Sequence, residues 1–166
     1  MTVTIKELTN QDIEAFYDLC REMAEEGAGV SFARITEVQQ AEELLHNERY
    51  YLLGAFAGDK LVGAFQARRG EKGKDHSCHI AGAVTKEWRH KGIGKKMLEH
   101  AENYLKHKGM WVIRAEVYSN NFPSIASLLA AGFTWAGTKY KHQWNEREQD
   151  YVDDLIFHKD LRLRED

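Results

Sequence analysis

The chain is poor in the residues that divide or staple proteins. It holds one proline, Pro123, and two cysteines, Cys20 and Cys78, in 166 residues. No proline-rich or glycine/serine-rich linker interrupts it, so a single domain over residues 1–166 is expected, long enough to bury most of its apolar surface around one core. Two distant cysteines without a Cys-x-x-Cys partner argue against a structural zinc centre and fit free thiols in a reducing compartment. No apolar run approaches the length of a membrane span, and Met1 to Lys6 lacks an apolar leader core, which makes a cytoplasmic protein without a membrane partner the default expectation. An excess of either charge is missing too. With 23 Lys and Arg against 26 Asp and Glu, the net charge of −3 gives no basic footprint for nucleic acid.

What is present is an alternation of strand and helix patterns without internal repeats. Thr2 to Leu8 alternates like a strand, and Thr9 to Asp12 offers caps for a helix carrying Ile13, Phe16, Tyr17, Leu19 and Met23. Gly27 to Gly29 breaks that helix, and Thr36 to His46 reads as a second. Tyr50 to Ala57 and Leu61 to Arg69 are β-rich runs joined at Gly58-Asp59, a tight hairpin signal. A charged loop, Gly70 to Asp75, leads into a strand from His76 to Val84. Beyond a glycine turn, Ile93, Met97, Leu98, Ala101 and Leu105 repeat at helical spacing until Lys108-Gly109 stops the helix. Met110 to Tyr118 alternates as a strand with Arg114, Glu116 and Tyr118 on one face. Pro123 opens a helix ending at Ala131-Gly132, and Phe133 to Trp144 and Tyr151 to His158 close the chain as a hairpin.

The most informative stretch runs from Val84 to Lys95. Gly92 and Gly94 let the backbone approach a ligand without Cβ obstruction, and the helix that follows presents unpaired N–H groups and its positive dipole end. Arg89, His90, Lys91, Lys95 and Lys96 add charge, so the turn suits a diphosphate. Walker A spacing is excluded, because only Ile93 separates the two glycines. A dinucleotide fingerprint is excluded as well, since Met97 stands where its third glycine belongs.

Arg-x-x-Gly-x-Gly after a β-strand resembles the coenzyme A pyrophosphate loop of the GNAT superfamily of N-acetyltransferases. The order β-α-α-β-β-β-α-β-α-β-β is similar to that fold over nearly the whole chain. The run from Asn121 to Gly132-Phe133 resembles the superfamily's Asn-led closing helix. The resemblance implies an α/β (α+β) fold: a central mixed, largely antiparallel sheet of about seven strands flanked by about four helices. It implies acetyl-CoA as co-substrate and no metal. Arg89, His90, Lys91, Gly92, Ile93, Gly94 and Lys95 would hold the pyrophosphate, and the backbone of Gly82, Ala83 and Val84 would pair with pantetheine. Asn121 would bond the pantetheine arm or order its loop, with Ser124 beside the cofactor. Simple helix capping by Asn121 or Ser124 is the structural alternative.

Acetyl transfer needs a proton acceptor for the amine, an oxyanion donor and a proton for the departing thiol. Glu116 lies at the distance from Asn121 where some peptide amino-terminal acetyltransferases of this superfamily carry a glutamate base; an ion pair with Arg114 or a lysine is the structural alternative. Among His76, Cys78 and His79, the imidazole of His79 is the apt relay. Leu128 occupies the position of the tyrosine that many members use as acid, so Tyr140, Tyr118 or water is expected to substitute, unless the thiolate leaves unaided. Acidic residues at Glu22, Glu25 and Glu26 and from Glu146 to Asp154 are candidates for attracting a cationic amine, and Phe32, Tyr140 and Trp144 for lining its pocket. The expected activity is direct transfer in a ternary complex to a small amine or peptide amino terminus. A non-catalytic acyl-CoA sensor is the alternative, motivated by Leu128, and fold analogy admits a homodimer.

Overall fold

A computed structural model describes residues 2–163. Strand β1 (Val3–Glu7) is followed by α1 (Ile13–Glu25), α2 (Val38–His46), β2 (Tyr50–Ala57), β3 (Lys60–Arg69), β4 (Ser77–Val84), α3 (Ile93–His107), β5 (Val112–Tyr118), α4 (Phe122–Ala130), β6 (Thr134–Asn145) and β7 (Asp150–Asp160). The seven strands form one sheet in the order β1-β2-β3-β4-β5-β7-β6. Every neighbouring pair is antiparallel except β4 and β5. The element order and the sheet match the expectation from the sequence.

Alternation along the strands gives the sheet two apolar faces. On one, Leu53, Phe65, Cys78, Ile113, Ala115 and Phe157 pack against Met97, Ala101 and Leu105 of α3 and Leu128 of α4. On the other, Leu52, Phe56 and Ala64 pack against Phe16, Leu19 and Met23 of α1 and Ala41 of α2. Phe32 belongs to this second core. It is fully buried and meets Phe16 edge-on at 5.6 Å between ring centroids, so it does not line an acceptor pocket. Its carrier is a short 3₁₀ turn, Ser31–Arg34, that the sequence pattern did not announce. Burial of both thiols pushes the Cys20 and Cys78 pKa up to about 12, so they are inert core groups, each unpaired.

Boundaries shift where side chains capture the backbone. Helix α2 begins at Val38 and not Thr36, because the Gln40 amide oxygen accepts from the N–H groups of Thr36 (2.8 Å) and Glu37 (3.1 Å) and holds both residues outside the helix. Asn121 caps α4: its side-chain oxygen accepts from Ser124 N–H at 3.3 Å, with Pro123 in the first turn. Capping is thus what the structure shows for Asn121 and Ser124. Replacing Asn121 by Ala should cost about 1 kcal/mol and lower Tm by roughly 2–4 °C in calorimetry. Asn121→Asp should retain most of that stability, and an alanine variant as stable as the parent would remove the cap.

Candidate functional site

Strands β4 and β5 run side by side for three residues only. Ser77, Cys78 and His79 pair with Val112, Ile113 and Arg114, and no pairing between the two strands follows. A wedge therefore opens between Ile80–Val84 on one side and Ala115–Tyr118 on the other. Backbone polarity follows the strand alternation. The His76 carbonyl accepts from Trp111 N–H (2.8 Å) and Val112 N–H (3.2 Å), whereas Thr85 N–H donates to Val62 O on the β3 side (2.9 Å). Even-numbered residues of β4 thus face β5, which leaves the backbone groups of Ile80, Gly82 and Val84 along the wedge. Ala83 turns its backbone toward β3, so the pantetheine contact expected at Ala83 falls to Gly82 and Val84.

At the mouth of the wedge lies the glycine turn. His90 (φ 60°) and Gly92 (φ 74°) are both left-handed and fold the loop back onto α3. A Cβ built on Gly92 or Gly94 meets no atom within 4 Å, so the space over the turn is open to a ligand. The first helical bond is Lys96 N–H to Gly92 O at 3.1 Å. The N–H groups of Ile93, Gly94 and Lys95 precede it and have no acceptor among the described residues, which gives an anion site reinforced by the helix dipole. Ile93 takes part through its backbone alone, because its side chain is 3% exposed in the core.

Charge around the turn is more constrained than the sequence suggests. Arg89 donates through Nε to Val84 O (2.9 Å) and through Nη2 to Glu26, at 2.8 and 3.0 Å from its two carboxylate oxygens. Glu22 accepts from Lys86 N–H at 3.0 Å. Two acidic residues expected to attract an amine instead tie α1 to the turn, and Arg89 braces the loop through Nε and Nη2. Lys91 lies over the Trp88 ring at 4.7 Å, and Lys95 pairs with Glu99 at 3.9 Å on the exposed helix face. His90 is exposed beside them. These cations remain at the surface around the turn.

A carboxyl cluster flanks the wedge on the α1 side. Glu116 receives the Lys139 ammonium at 3.0 Å, and the same ammonium lies 3.7 Å from Asp154. His79 Nε2 stands 3.9 Å from the other Glu116 oxygen. Asp154 is 5% exposed, and burial, followed by its hydrogen bond to Glu116, pushes its pKa up to about 6. Burial pushes Glu116 upward too, but hydrogen bonds from Asp154 and Lys139 outweigh it and hold the carboxyl below its usual range. Burial lowers His79, opposed by Glu116 and aided by Arg68, Arg114 and Lys139, so its imidazole is neutral at pH 7. Glu116 is therefore ionised beside a neutral imidazole.

Asp154 was hidden in sequence among solvated acids. Its signal lies in register, since it pairs across from Tyr118 on one side and Lys139 on the other. The other acids of that stretch have partners of their own: Asp153 accepts from Lys141 N–H at 2.8 Å, Asp150 meets the Lys141 ammonium at 2.6 Å, Glu146 accepts from Trp144 Nε1 at 3.0 Å, and Glu148 accepts from Asn120 Nδ2 at 3.4 Å. Trp144 packs edge-on against Tyr151. Tyr140 is not brought to the cluster. It is 78% exposed on an irregular part of β6, where pairing with β7 slips between Lys139 and Gln143. Tyr118 does share the Glu116 face, and its ring lies against Gly29, where a Cβ would approach Cε2 to 2.6 Å. Leu128, 9% exposed, fills the core under α4. Among the described residues no group of three or more His, Cys, Asp or Glu is placed to hold a metal ion, and no helix is long and apolar enough to cross a membrane.

Solved structures of other proteins share this fold. A GNAT-family acetyltransferase of Streptococcus pneumoniae superposes with a TM-score of 0.85 at 18% identity, over 95% of this chain and 99% of its own. The ribosomal-protein-alanine N-acetyltransferase of Brucella melitensis gives 0.82 at 22% identity over the same shares. A Salmonella typhimurium protein described as an acetyltransferase, solved with its cofactor acetyl-CoA, gives 0.82 at 19% identity over 97% and 95%. These likenesses establish the fold. No curated protein matches the chain in sequence. The family model for the acetyltransferase (GNAT) family matches residues 13–133, from α1 through the wedge and its cradle to the end of α4, and the chain belongs to that family.

Proposed function

We propose that the protein transfers an acetyl group from acetyl-CoA directly to a primary amine, either a small molecule or a peptide amino terminus, within a ternary complex. The observation that carries this reading is the wedge, with an anion cradle at its mouth and an ionised carboxylate beside a neutral imidazole on its wall. Acetyl-CoA, when bound, supplies a thioester carbonyl for the amine to attack. The open N–H groups of Ile93, Gly94 and Lys95 hold the pyrophosphate, with Lys91, His90 and Lys96 adding charge. The backbone of Gly82 and Val84 lines the pantetheine path, where an N–H group directed into the wedge suits a developing oxyanion. His79 and Glu116 together accept the amine proton, with Glu116 favouring the charged imidazole. Tyr118 takes the position expected of Tyr140 for returning a proton to sulfur, and the low pKa of a thiol lessens the need for a strong acid.

Thiol release from acetyl-CoA against peptides of varied first residue, polyamines, amino acids and aminoglycosides tests the reading. Release with one class supports it, and saturable acetyl-CoA binding without turnover on any amine favours a sensor. Gly94→Leu puts bulk into open space without a strained φ, so it should weaken coenzyme A binding about tenfold or more while the fold persists; an unchanged Kd by titration calorimetry would exclude the cradle. Glu116→Gln should lower kcat/KM by roughly a hundredfold, and a parental rate would remove Glu116 from the chemistry.

The shared proton of Asp154 has a signature in stability. Its folded pKa lies above the unfolded value of 3.8, so the stabilisation is complete below about pH 4 and is lost as pH rises through about 6. Asp154→Asn should therefore match the parent near pH 4 and exceed its Tm by a few degrees at pH 7.5. A Tm difference that does not change between these pH values would mean the proton is not shared.

A further inference from the structure

Four strands place a row of two arginines and two histidines on the α1 side of the sheet. Arg68 of β3 pairs with His79 of β4, His79 with Arg114 of β5, and Arg114 with His158 of β7. Their sequence neighbours Ala67, Cys78, Ile113 and Phe157 all point into the α3 core, so the four side chains share the opposite face. Adjacent strands lie about 4.8 Å apart, so Arg68 and Arg114, on the two strands flanking His79, both border the space over β4. Here neither Arg68 nor Arg114 comes within 4.0 Å of a carboxylate or makes a hydrogen bond among the described residues, whereas Arg49, Arg89 and Arg162 each pair with an acid. Arg68 is exposed and Arg114 and His79 are half-exposed, so a ligand can reach all three.

We propose that Arg68, His79 and Arg114 form an anion-binding subsite, and that the acceptor amine carries a carboxylate or phosphate that docks there. This rests on the transfer reading above. The row adjoins the chemistry directly: His79 Nε2 lies 3.9 Å from Glu116, and Glu116 follows Arg114 by one two-residue step of β5 on the same face. An anion held by the two planar guanidinium forks puts an amine on the order of 7 Å away, beside Glu116. The coenzyme phosphates do not explain the row. Their cradle follows Val84, five residues and roughly 17 Å along β4 from His79.

The experiment has two arms. In the first, thiol release is compared for acceptors matched except for charge: phosphoethanolamine against ethanolamine, ω-amino carboxylates against their amides, and Ala-Glu against Ala-Gln peptides. KM should be about tenfold lower for the charged member of at least one pair, and which pair responds tells phosphate from carboxylate and small molecule from peptide. The double substitution Arg68→Gln and Arg114→Gln should erase the preference, and because neither arginine makes an ion pair or hydrogen bond among the described residues it should leave Tm nearly unchanged. In the second, with coenzyme A saturating the cradle, inorganic phosphate should shift the His79 ring resonances of the parent and not of the double variant. Equal KM within every pair, or a preference that survives in the double variant, overturns the subsite, as does an unmoved His79 resonance. A phosphate-responsive His79 in a protein that acetylates no amine would retain the anion site while refuting transfer.

Discussion

The parting of β4 and β5 after three paired residues is the constraint on which the rest depends. A sheet interior normally consumes its backbone donors and acceptors in ladders, and leaving them open is costly unless water or a ligand meets them. Here the antiparallel pairing of β3 with β4 and of β5 with β7 continues past the split, so both walls stay rigid while their facing edges are free. A rigid slot with polar walls can hold an extended, amide-rich chain such as pantetheine without rearrangement. Its cost is met by the cores above and below the sheet.

The elements around the slot are tied down by groups that sequence reading assigns elsewhere. Arg89 looks like a phosphate ligand, yet it links the end of β4 to α1 through Val84 O and Glu26, while Glu22 holds the Lys86 N–H. These bonds tie α1 to the turn that precedes α3. On the other flank, Lys139 brings Glu116 of β5 and Asp154 of β7 together. One cation beside two close carboxyls leaves one of them favoured to keep a proton, and the more buried Asp154 is that one. Glu116 then stays ionised despite its partial burial.

Much of this was legible in the sequence because its signals are local. The order of eleven elements, the Tyr50–Ala57 strand without error, and the glycine turn before α3 all follow from spacing of apolar residues and from what glycine permits. Glu116 and His79 were readable as chemistry-bearing strand residues, though not as neighbours. Asp154 was not readable, since its partners Tyr118 and Lys139 lie 36 and 15 positions away and only strand register joins them. The irregular pairing that leaves Tyr140 exposed was equally silent.

The sequence by itself determined the family, the fold order and the glycine turn before α3, because periodicity, capping residues and a positive-φ glycine act over a few residues. Tertiary structure alone decided which of the β4 backbone groups face the wedge, that Arg89 braces rather than stands free, and that Leu128 plugs the core. It also decided that Arg68, His79 and Arg114 form one row. The row and the facing backbone groups depend on strand register, where a shift of one residue would turn every side chain to the opposite face, and the Arg89 and Leu128 contacts depend on elements distant in the chain packing together.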